Sequence, residues 1–171
     1  MEANDTALLI LRLTVGLYLM GHGAQKLFGW FKGGGPAGTV AMTTRLGFRP
    51  PQLWAAGLSL SETGGGLLVV VGLLGPVGPL AIAAAMAVAI RVSHWGKGAF
   101  NHGGGFELPL VYLLASASLV VSGPGAYSVD DWLGIALPEP GFSIAATVMV
   151  VLVVLALFGT RRRPVAVPQP T

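Results

Sequence analysis

The chain has 171 residues, of which 53% are hydrophobic and only 10% charged, with a mean hydropathy of +0.73. Soluble domains carry about 25% charged residues, so this composition excludes an ordinary water-soluble fold and implies one domain largely solvated by lipid. The net charge of +3 and pI near 9.7 do not point to nucleic acid, because the basic residues fall at helix ends and in short loops rather than along one face. Cysteine is absent, which excludes disulfides, thiolate metal sites, cysteine-held iron–sulfur clusters and thiol chemistry in the chain itself.

A hydrocarbon core of about 30 Å needs about 20 residues of apolar helix. The first such stretch runs from about Ala7 to Phe28, after Asn4-Asp5-Thr6, which supplies an N-cap. A signal peptide is the competing reading. Glu2 and Asp5 stand where a signal peptide is basic, and no small-residue cleavage site precedes Gln25-Lys26. Residues 33–50 predict a loop and a short helix lying in the interface, with Val40, Met42, Leu46 and Phe48 among polar residues. A second span is expected from about Gln52 to Leu74, opened by Pro50-Pro51, and a third from Val77 to Trp95. Only Gly75-Pro76 separates these two, so they must be antiparallel neighbours. The glycine-rich run Gly96 to Gly105 then leads to a fourth span, Phe106 to Val121, which ends at Ser122-Gly123-Pro124-Gly125. A fifth, Phe142 to Phe158, is apolar on every side and suits contact with lipid or a partner. The expected fold is thus an all-α membrane protein. A four-helix domain occupies residues 1–134, an extra transmembrane helix residues 135–160, and a basic, proline-rich and disordered tail residues 161–171.

Lysine and arginine set the orientation. With five spans, Lys32, Arg45, Arg49, Lys97 and Arg161 to Arg163 fall on one side, and Glu2, Asp5, Asp130, Asp131 and Glu139 on the other. This predicts an external N-terminus and a cytoplasmic C-terminus.

Polar residues inside the spans are the functional candidates, since each costs about 2–3 kcal/mol or more against hydrocarbon and must find a partner or a ligand. His22, Gln25, Lys26, Glu62, Arg91, His94 and Glu107 are candidates for binding a ligand such as a quinone, and Arg12 with Glu62 for an intramembrane ion pair. At 100° per residue, Arg12, Gly16, Gly23 and Lys26 share one face of the first helix. Ser59, Glu62 and Gly66 share a face of the second, and Ala84, Ala87, Arg91 and His94 one of the third. The alternative metal set is His22, His94 and His102, and His22 with His94 would be the haem pair. Histidines on separate helices without a local spacing motif argue little for either. The Gly103-Gly104-Gly105 run lacks the Lys-Ser/Thr of a phosphate-binding loop.

The chain resembles the DoxX family of small prokaryotic membrane proteins. The resemblance rests on Gly21-His22-Gly23-Ala24-Gln25-Lys26-Leu27-Phe28-Gly29, on Glu62 before Gly64-Gly65-Gly66, on Arg91 to His94, on Glu107, and on Gly123-Pro124-Gly125 through Ser128 to Asp130-Asp131. It implies a DoxX-like four-helix core and association with quinone-linked redox systems, one related protein being similar to the quinone-side subunit of a thiosulfate:quinone oxidoreductase. The Phe142–Phe158 helix and the arginine tail depart from that pattern and offer a surface to partners. Three readings follow: a redox-associated subunit with a polar intramembrane site and a docking surface for partner subunits, a non-catalytic assembly subunit of a larger complex, and a small transporter or channel. The residues identify no catalytic centre in the chain alone.

Overall fold

The computed structural model describes residues 2–137 and 140–161, over which the chain is an all-α membrane protein. Its helices are α1 (Glu2–Leu27), α2 (Gly35–Arg45), α3 (Pro51–Val71), α4 (Val77–Ala89), α5 (Glu107–Ser122), α6 (Val129–Leu133) and α7 (Gly141–Thr160). A π-helical turn, Ile90–His94, prolongs α4. α1, α3 and the run Val77–Lys97 are long and apolar enough to cross a membrane; α5 and the stretch Gly141–Ala156 of α7 are apolar but shorter. The tail expected beyond Arg161 lies outside the described residues, as does Glu139.

Boundaries move where local chemistry outweighs hydrophobicity. α1 begins at Glu2 rather than near Ala7, because Glu2 and Asp5 complement the positive end of the helix dipole. α3 stops at Val71, short of Leu74, because Gly72 adopts φ 68° and returns its N–H to the Leu68 carbonyl at 2.8 Å. The interfacial segment does contain a helix, α2, which packs against α1 and α3.

α1 and α3 form an antiparallel pair whose backbones approach through glycine. A Cβ on Gly16 would stand 2.5 Å from Val70 Cγ2 and 2.7 Å from the Gly66 carbonyl oxygen, and one on Gly23 would overlap Thr63. Val15, Leu19, Val69, Ile82, Ala85, Met86 and Leu119 fill the core between α1, α3, α4 and α5. α7 lies against α4.

The expected Arg12–Glu62 pair does not form. The antiparallel register sets Arg12 beside the last turn of α3, seven residues beyond Glu62, or about 10 Å at 1.5 Å per residue. There Arg12, 2% exposed, donates from Nε to Val69 O (2.9 Å), from Nη2 to Val70 O (2.9 Å), and from Nη1 to Pro124 O (2.7 Å) and Tyr127 O (2.8 Å). Two of these oxygens are helix-end carbonyls with no intrahelical donor. Asp130 completes the junction. Its carboxylate accepts from the N–H of Leu74 (2.9 Å) and Gly75 (2.7 Å), while its own N–H reaches Gly72 O at 3.1 Å. The segment from Gly123 to Asp130 is therefore a clamp on the α3–α4 turn.

At the opposite end, Arg161 Nε donates to Leu46 O at 2.8 Å, bringing the end of α7 to α2. Lys32, Arg45, Arg49, Lys97 and Arg161 thus share one end of the bundle, and Asp5, Asp130 and Asp131 the other.

Gly16→Leu is expected to lower stability by about 1–3 kcal/mol or to block folding, by overpacking the α1–α3 seam. Gly21→Leu, where a Cβ meets nothing within 4 Å, is the matched control and should melt like the parent in detergent. Equal melting of the two variants would contradict the seam.

Candidate binding site

Glu62 sits on the inward face of α3 and is 4% exposed. Its partner comes from the last turn of α1, where Lys26 Nζ lies 2.5 Å from Glu62 Oε2 and also donates to the His22 carbonyl at 3.3 Å. Among the described residues this is the one ion pair. Lys26 suits the position because its long apolar stem follows the helix surface while the ammonium reaches a polar neighbour. Removing either partner would leave the other charge uncompensated in an apolar medium.

The pair borders a cavity of about 480 Å³ enclosed by α1, α2, α3, α4 and α5, with Val153 of α7 on its lining. Most of the wall is apolar, including Leu19, Met42, Phe48, Leu58, Met86, Val92 and Leu108. Polar groups are few: His22 and Lys26 from α1, Thr43 from α2, Ser61 and Glu62 from α3, Ser93 and His94 from the π-turn, then Asn101 and Tyr112. Trp54 also faces the cavity.

The π-turn explains how His94 gets there. In an unbroken α-helix, at 100° per residue, His94 would stand about 180° from Ala85, on the far side from the cavity. The wider turn brings Ser93 and His94 back to the wall, as π-turns at functional sites often do. Arg91 is left exposed, so the stripe predicted through Ala84, Ala87, Arg91 and His94 is split. His94 Nδ1 then donates to the Gly104 carbonyl at 2.7 Å, tying the helix end to the glycine-rich loop.

Of the seven ligand candidates, His22, Lys26, Glu62 and His94 meet at the cavity. Gln25 lies beneath the Gly33 backbone with only a long 3.5 Å bond to Phe31 O. Glu107 is exposed and accepts the Asn101 N–H at 2.8 Å, fastening the loop. The metal set His22, His94 and His102 is not assembled: His102 is exposed and stacks on Phe100, and no group of three His, Asp or Glu able to hold a metal is found among the described residues. Trp54, Asn101 and Tyr112 were not among the sequence candidates. Tyr112 did carry a signal, as a lone phenol in an otherwise aliphatic part of the fourth span.

The Lys26–Glu62 pair, with His22 before it and the glycine seam between α1 and α3, lies within residues 7–95, which match the family model of DoxX. The chain belongs to the DoxX family. The match runs from α1 through the π-turn, while α5, α6 and α7 lie beyond it. No curated protein and no solved structure matches the chain. In this DoxX protein the family-matched segment therefore supplies His22, Lys26, Glu62 and His94, and the segments beyond it supply Asn101, Tyr112 and Val153.

Glu62→Gln strands the Lys26 ammonium and is expected to cost about 3 kcal/mol of stability. Lys26→Met with Glu62→Leu should recover most of that loss in reversible unfolding from mild detergent. A double variant as unstable as the sum of its singles would show that the two residues are not each other's partners.

Proposed function

We propose that this DoxX protein is a membrane subunit of a quinone-linked redox system and that its cavity holds the head group of a quinone-type molecule. The observation that carries this reading is the makeup of the cavity. An apolar body entering from the bilayer finds aliphatic and aromatic walls, and its polar head finds His22, the Lys26–Glu62 pair, His94 and Tyr112 gathered together. A pocket of about 300–1,000 Å³ with few, convergent polar groups is the usual form of a small-molecule site. A chain without cysteine holds no cysteine-ligated iron–sulfur centre, so electrons exchanged with the bound molecule pass to partner subunits. A separate docking surface for partner subunits is the opposite end of the bundle, which carries α6 and the segment after it, where Trp132 is 81% exposed beside exposed Leu133.

The test is binding in lipid nanodiscs. A short-chain benzoquinone should quench Trp54 saturably, and Trp54→Phe should remove that component. Gly57→Phe adds bulk on the cavity lining at a position where a Cβ meets nothing within 4 Å, so affinity should fall at least about tenfold with the fold intact. Unchanged affinity in Gly57→Phe would place the ligand elsewhere.

The proposed orientation sets the basic end in the cytoplasm of a prokaryote and the acidic end outside the plasma membrane. The chain has no cysteine, so single cysteines report directly. In intact cells an impermeant maleimide should label Ala136→Cys and spare Gly34→Cys. The reverse pattern would invert the protein.

A further inference from the structure

The hydrogen bond that holds His94 has only one possible direction. Its Nδ1 lies 2.7 Å from the Gly104 carbonyl oxygen, and a carbonyl only accepts, so Nδ1 carries a proton. In the neutral ring Nε2 is then an acceptor, and it makes no hydrogen bond among the described residues. The loop that imposes this tautomer is itself fastened. Phe106 N–H donates to Gly98 O at 3.2 Å, Glu107 N–H to Ala99 O at 2.9 Å, and Gly104 has φ 76°, a conformation that disfavours any side chain. His94 lines the cavity, and its neutral ring has Nε2 left as an acceptor there. Lys26 is on the same lining, and its Nζ has three N–H groups, of which Glu62 and the His22 carbonyl take two.

We infer that the cavity selects the hydroquinone over the quinone form of its ligand, with His94 Nε2 accepting from a ring hydroxyl. This rests on the quinone-type reading of the cavity and says which redox form the site is shaped to hold. A quinone oxygen has only lone pairs. Set against the Nε2 lone pair it leaves two acceptors facing each other without a proton between them. A hydroquinone hydroxyl donates to Nε2, and its oxygen still accepts from the remaining N–H of Lys26. Sites built to bond a hydroxyl reject the analogue that lacks it, because their buried polar groups are left unpaired.

The experiment compares decyl-hydroquinone with decyl-benzoquinone, anaerobically, by quenching of Trp54 in nanodiscs. The wild type should bind the hydroquinone about tenfold more tightly, as one well-placed hydrogen bond allows, and His94→Phe should bring the ratio close to one. The unaltered protein supplies a second measurement through ¹⁵N NMR of its three histidines. His94 should show the Nδ1–H tautomer, with the Nε2 resonance shifting as hydroquinone is added. Equal or reversed preference in the wild type, or an Nε2–H tautomer at His94, overturns the inference while leaving the quinone reading in place. Binding of neither form overturns the quinone reading itself, and this inference with it.

Discussion

The Arg12 guanidinium, closed on four backbone carbonyls, is the interaction on which the acidic half of the bundle depends. In hydrocarbon no water is at hand to satisfy the free carbonyls of a helix end, and each one left unpaired costs several kcal/mol. α3 ends inside the bundle, so its last carbonyls need donors from elsewhere in the fold. Arg12 supplies the three coplanar nitrogens of its guanidinium to do this, and Asp130 caps the adjoining turn from the other sign of charge. A lysine could not replace Arg12, since a single ammonium lacks the planar fork that reaches α3 and the Pro124–Tyr127 segment together. Gly72 leaves the necessary space: a Cβ there would stand 2.5 Å from Arg12 Nη2.

The same two helices are tied again by Lys26 and Glu62, about 21 Å from Arg12 along α1 at 1.5 Å per residue. Between these ties run the contacts of Gly16 with Gly66 and of Gly23 with Thr63. The helices meet so closely there that small residues, not large apolar ones, set their spacing, as membrane packing without a hydrophobic driving force requires. The bulk needed to fill space away from the seam is then missing near the basic end. Gly57, Ala84, Ala85 and Ala89 line the gap that results. The cavity follows from close packing at the seam and short side chains around it.

Much of this was legible in the sequence. Uninterrupted apolar stretches gave the helices, Gly75-Pro76 gave the α3–α4 hairpin, and the stripe through Arg12, Gly16, Gly23 and Lys26 gave the face of α1 that meets α3. The gathering of His22, Lys26, Glu62 and His94 followed from the cost of polar groups in lipid. The partner of Glu62 did not, because a stripe states which face is buried but not the axial register between two helices. Arg12 stands about two turns, or 10 Å, beyond Glu62, and Lys26 takes its place. His94 and Arg91 were assigned to a single face because the 100° period assumes an unbroken α-helix, and nothing in Ile90-Arg91-Val92-Ser93-His94 announces a π-turn. Asn101 and Glu107 belong to loop geometry set by positive-φ glycines at 98 and 104, which periodicity does not describe.

The two ends of the bundle differ in how far their polar groups are satisfied, and this separates scaffold from site. At the acidic end every nitrogen of Arg12 and both oxygens of Asp130 are engaged by backbone, and the space beside Arg12, about 10 Å³, is too small for a ligand larger than water. At the basic end, among the described residues, Lys26 keeps one N–H and His94 one ring nitrogen without a protein partner, beside a cavity of about 480 Å³. Polar groups that face a cavity rather than another protein group take their partners from whatever enters that cavity. Replacing Lys26 and Glu62 with apolar residues would hold α1 to α3 nearly as well. Charge beside open space at the basic end is the feature on which the proposed ligand site rests, and close packing of α1 on α3 does not call for it.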